Sequence, residues 1–111
     1  MNWMRPPGEA VLEVGAGLTY DSRMPLFIVS YELKQPRKHY VDLILALKSY
    51  ERWAQILDST WAVVSDQSAA EIRDELWELL DPDDGIFVLE SGREAAWQDV
   101  RCENQWLRDH L

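Results

Sequence analysis

The sequence predicts an α+β domain with a βαββαβ order of elements, followed by a C-terminal helical tail. Three observations predict it. Apolar runs rich in β-branched and aromatic residues stand at 26–31, at 53–57 with 60–65, and at 86–89. Between them lie two stretches, 38–51 and 68–80, whose apolar residues recur at helical spacing. Each strand–helix–strand crossover is expected to be right-handed, which closes the strands into one four-stranded antiparallel sheet with two helices on one face.

Taken in order, Pro6-Pro7-Gly8 and Gly15-Ala16-Gly17 are chain breakers around Val11-Leu12-Glu13-Val14. Met24 directly precedes the first convincing strand and is expected to open the folded unit. Residues 1–23 are then an extension or an over-long reading of the gene; a native edge strand at 11–14 is the other reading. Leu26-Phe27-Ile28-Val29-Ser30-Tyr31 is apolar on both alternations at first, which suits a central strand. Lys34-Gln35-Pro36 forms the loop after it.

Tyr40, Leu43, Ile44, Leu47 and Tyr50 follow an i, i+3, i+4, i+7 pattern, so a helix is expected over about 38–51, with Val41 and Leu45 widening its apolar stripe. Trp53 to Leu57 and Thr60 to Ser65, parted by Asp58-Ser59, read as a strand pair or as one long bent strand. Ser68-Ala69-Ala70-Glu71 is a capping box, and Ala69, Ile72, Leu76, Leu79 and Leu80 form one face of the helix it opens. Trp77 falls roughly 100° from the centre of that face, at the core's rim or on a partner. Asp81-Pro82 stops the helix, Asp83-Asp84-Gly85 turns, and Ile86-Phe87-Val88-Leu89 is the last strand. After Ser91-Gly92, residues 93–111 are expected to be a docked helical tail anchored by Trp97, Val100, Trp106, Leu107 and Leu111. The expected divisions are an extension over 1–23, a domain over 24–91 and a tail over 92–111.

At 111 residues the chain has room for one domain, and 47% hydrophobic residues can fill a core. Six Trp are hard to hide in so short a chain, so some are expected at an interface. The net charge of −9 disfavours non-specific nucleic-acid binding. The charge is uneven: 34–52 carries five Lys/Arg against two acids, and 66–84 carries eight acids against Arg73. Cys102 is the single cysteine, so neither an intrachain disulfide nor a thiolate zinc site is available. No apolar run approaches the roughly 20 residues of a membrane span, and the cytoplasm is the expected location.

Three blocks carry a resemblance: Val29-Ser30-Tyr31-Glu32, Leu57-Asp58-Ser59-Thr60-Trp61-Ala62-Val63, and Asp81-Pro82-Asp83-Asp84-Gly85-Ile86-Phe87-Val88. Over about 24–91 the chain resembles the Cas-two-like CRISPR-associated adaptation proteins and the VapD-like toxins. With Gly92-Arg93-Glu94-Ala95-Ala96-Trp97 included, it resembles bacterial proteins labelled SinR-family more closely still. The resemblance implies a ferredoxin-like homodimer. In members with nuclease activity it implies an Asp at the end of the first strand, one per subunit, holding a divalent metal between the chains. Glu32 matches that position but is not Asp. The extra methylene moves the carboxylate by more than an ångström, against a catalytic tolerance of about 0.5 Å.

Two functional expectations follow. The first is a homodimeric protein-interaction or assembly module of a defence or toxin–antitoxin-like system, with Trp77 at the interface. The second is an endonuclease dependent on Mg or Mn, with Glu32 as metal ligand and catalytic residue and Lys34, Arg37 and Lys38 on phosphates. Against the second, and favoured over it, Glu32 reads as a solvated acid paired with Lys34 or Arg37, and the basic cluster as a charged loop. His39 and His110 are too far apart in sequence to form a local metal pair. Cys102 reads as a small core-facing residue, and Asp81, Asp83 and Asp84 as a solvated turn lacking the spacing of a calcium loop.

Overall fold

The computed structural model describes residues 24–35 and 40–111. Seven elements run in the order β1 (Leu26–Glu32), α1 (Val41–Lys48), β2 (Arg52–Leu57), β3 (Thr60–Val64), α2 (Ala69–Trp77), β4 (Gly85–Glu90) and α3 (Asn104–His110). The strands form one antiparallel sheet in the order β2-β3-β1-β4. The described residues thus form an α+β fold with a four-stranded antiparallel sheet and three helices. The expected extension and the strand at 11–14 lie outside the described residues.

Strand alternation sorts the side chains into two cores. Phe27, Val29 and Tyr31 of β1 and Trp61 and Val63 of β3 pack with Leu43 and Leu47 of α1 and Ile72 and Leu76 of α2. All four helix residues are fully buried, each worth roughly 1.5–3 kcal/mol of burial. Leu26, Ala62 and Val64 point to the opposite face, where Ile56, Trp106 and Leu111 pack on them. β1 and β3 are therefore covered on both faces in part, as the apolar alternations of β1 predict.

Several expectations change in detail. Helix α1 is shorter than 38–51: it begins after Tyr40 and ends at Lys48, where Ser49 N–H turns back to the carbonyl of Ala46 at 3.1 Å. Val41 and Leu45 do not widen the buried stripe but face solvent, 54% and 59% exposed. The 53–65 stretch is a hairpin turning at Asp58-Ser59, with a bulge between Gln55 and Leu57. Ser68 and Glu71 form the expected capping box, each side chain accepting the other's backbone N–H. Helix α2 ends at Trp77 and not at Asp81-Pro82; Leu79 and Leu80 continue as a tighter turn, bonded to the carbonyls of Leu76 and Trp77.

The tail is helical only over Asn104–His110. Residues 91–103 are irregular, and Asp99 takes a left-handed conformation (φ 57°) that Asp tolerates better than most side chains. Beyond that bend Arg101 N–H donates to the carbonyl of Ile56 at 2.8 Å, and the Arg101 guanidinium pairs with Asp58. The tail thus docks along the outer edge of β2, and Leu107 is buried.

Candidate functional site

Glu32 ends β1 opposite Gly85 of β4. Its carboxylate is 76% exposed and stands 3.8 Å from Nζ of Lys34. This is the solvated, Lys34-paired arrangement that the sequence allows. Arg37, Lys38 and His39 lie outside the described residues, so the proposed basic cluster is represented here by Lys34.

The organising group at this end of the sheet is Asp84, directly before β4, and not the acid the sequence singles out. Its Oδ1 accepts the backbone N–H of Lys34 at 2.8 Å; Oδ2 accepts the N–H of Asp81 at 2.8 Å and the hydroxyl of Tyr40 at 3.0 Å. Asp84 is only 6% exposed, so it is not part of a solvated turn. Its backbone N–H bonds Asp81, closing the turn that its side chain also braces. A buried carboxylate survives only when such donors replace water. The Tyr40 hydroxyl is pushed above its ordinary pKa by burial first and by the Asp84 carboxylate second. Sequence spacing carries no signal separating Asp84 from its exposed neighbour Asp83, since the distinction lies in donors supplied from residues 34 and 40.

Beneath Glu32, Tyr31 is buried and accepts the indole N–H of Trp61 at 2.9 Å. Burial raises the Tyr31 pKa. Trp53 leans on Trp61 with centroids 5.5 Å apart, and Lys48 Nζ lies 5.6 Å from the Trp53 ring centroid. These are structural contacts, with no free reacting group among them.

A metal does not fit one copy of this site. Among the described residues no three His, Cys, Asp or Glu side chains converge on a common point. Glu32 supplies one carboxylate with an ammonium beside it, and both carboxylate oxygens of Asp84 already accept hydrogen bonds from the protein. His110 is likewise occupied: its ring stacks on Trp106 at 4.0 Å and its Nδ1 lies 2.8 Å from the Trp106 carbonyl oxygen. Cys102 is half-buried and faces no core. It lines an open cleft of about 360 Å³ between the β2 edge and the tail, with Trp53, Gln55, Glu103 and Trp106. Burial pushes its thiol pKa up, away from the reactive thiolate.

Trp77, the expected interface residue, is 40% exposed at the end of α2. Five larger exposures escaped the sequence reading: Val41, Leu45 and Leu57, and two on β4. Phe87 is 61% exposed and Leu89 50%, both on β4. They face away from the helices, since Ile86 and Val88 pack into the helix-side core. The tail covers the β2–β3 half of that outer face and leaves the β4 half bare. No pattern within Ile86-Phe87-Val88-Leu89 marks it as an edge strand. Comparison with protein-family models, curated proteins and solved structures returns no match.

Proposed function

We propose that the chain is a ferredoxin-like, homodimeric protein-interaction module, acting through protein contacts in the kind of defence or toxin–antitoxin-like assembly that its resemblance implies. The strand order β2-β3-β1-β4, with α1 and α2 sharing one face, supports the ferredoxin-like reading. The observation that carries the interaction reading is the bare apolar half-face: Phe87 and Leu89 stand side by side in solvent on a strand whose other face is core. Neighbouring exposed apolar groups of this size mark contact surfaces.

Light scattering of the full chain over a concentration series tests this reading, with a companion assay on single-stranded RNA and duplex DNA in Mg²⁺ and in Mn²⁺. The expected result is a particle of twice the 13.0 kDa chain mass and intact substrates. Metal-dependent cleavage that disappears in Glu32→Ala and persists in His39→Ala would replace the module by the nuclease.

A further inference from the structure

The two edges of the sheet are not equivalent. The β2 edge is engaged by the tail through Arg101. The β4 edge has no strand paired to it among the described residues.

The backbone parity of β4 follows from its ladder. Its register with β1 runs from Phe27↔Glu90 to Glu32↔Gly85 without a shift, and Ser91 N–H donates to the carbonyl of Leu26 at 2.8 Å. In an antiparallel ladder the N–H and C=O of one residue point to the same side, and the side alternates. Phe87, Leu89 and Ser91 therefore bond toward β1, and Ile86, Val88 and Glu90 present their N–H and C=O groups outward. The strand reads Gly-Ile-Phe-Val-Leu-Glu, with one charge at its end and neither Lys nor Pro. These are the devices by which an edge is ordinarily kept from pairing.

We infer that β4 pairs with β4 of a second copy, about a two-fold axis through Val88. The inference rests on the homodimer reading and names its interface. In this register Ile86 faces Glu90 of the second copy, Val88 faces Val88, and the three residue pairs exchange all their outward hydrogen bonds. On the open face Phe87 meets Leu89 of the second copy, twice, an aromatic–aliphatic cross-strand pairing.

Charge is compatible with this occupant and register. On a chain of net charge −9, residues 85–89 are uncharged, so two like-charged copies meet here with Glu90 as the one acid of the strand, opposite the apolar Ile86. The two Glu90 residues stand four residue steps apart, roughly 14 Å, beyond the screening length of about 8 Å at physiological salt. Eight strands then run as one sheet.

Light scattering at a fixed concentration tests the inference with three proteins. The wild-type chain is expected at twice 13.0 kDa and Phe87→Lys at 13.0 kDa. Phe87→Lys combined with Leu89→Glu is expected to return to twice that mass, because position 87 faces position 89 of the second copy. Cooperative melting of each variant shows that it is folded. Glu90→Pro, which removes one outward N–H and spares the β1 ladder, is expected to weaken association as a second check. A wild-type monomer would end both the inference and the homodimer reading. A dimer undisturbed in both Phe87→Lys and Glu90→Pro would keep the reading and overturn the inference. A double variant that stays monomeric would overturn this register.

Discussion

The backbone N–H of Lys34 donates to Oδ1 of Asp84 at 2.8 Å, across fifty residues of chain. This one bond ties the exit of β1 to the entry of β4, and the same carboxylate holds Asp81 and Tyr40. Replacing Asp84 by Ala strands two N–H groups and a hydroxyl. Hydrogen bonds to a charged group contribute roughly 1.5–3 kcal/mol each, and water reaching the freed donors at this part-buried end recovers part of it, so a loss of about 3 kcal/mol in urea unfolding is expected. Asp83→Ala, at the exposed neighbour, is expected within about 0.5 kcal/mol of the parent. Equal effects at the two positions would contradict the role given to Asp84.

Helix placement is tested by a pair of charge insertions. Leu76 is fully buried on α2, and Leu76→Asp forces an unpaired carboxylate into the helix-side core. Cooperative thermal unfolding is expected to disappear. Leu45→Asp, on the exposed side of α1, is expected to melt within a few degrees of the parent.

The tail is expected to contribute through Leu107 more than through its ion pair. Leu107 is 1% exposed, and Leu107→Ala is expected to cost about 2–5 kcal/mol by chemical denaturation. Arg101→Ala removes an exposed pair with Asp58, expected at about 0–1 kcal/mol.

Tyr50 gives a pH signature. Burial, and then the Glu75 carboxylate that accepts its hydroxyl at 3.4 Å, push its pKa up from 10.0 to about 12. The folded state therefore keeps a proton that the unfolded state releases above pH 10, and stability falls as pH rises from about 10 to 12. An enclosed group would lose roughly 1.4 kcal/mol per pH unit; partial exposure makes the loss smaller. Tyr50→Phe is expected to flatten that slope in unfolding measured between pH 9 and pH 11. An unchanged slope would place the titration elsewhere, Tyr31 or Tyr40 being the next to ionise late.

The elements of the described region were legible where local chemistry decides them. Ser68 and Glu71 announce the start of α2, and the apolar period of Leu43, Leu47, Ile72 and Leu76 announces the two packed helices. What escaped was set at long range. Asp84 differs from Asp83 only through donors at residues 34, 40 and 81. The tail reads as helical through its apolar anchors Trp97, Val100, Trp106, Leu107 and Leu111. In the fold, Trp97 instead donates its indole N–H to Asn104 at 3.1 Å, within an irregular stretch. Val41 and Leu45 look like core by period, but the sheet reaches only one side of α1. The exposure of Phe87 and Leu89 depends on where the tail stops, which neither β4 nor the tail encodes alone.

Residue-by-residue amide hydrogen exchange along β4 tests the self-paired edge most directly. Phe87 and Leu89 donate to β1 in either case and are expected to exchange slowly at every concentration. Ile86, Val88 and Glu90 are expected to be protected at high concentration and to lose that protection on dilution. Fast exchange at Val88 under conditions where the mass is twice that of the chain would contradict the account.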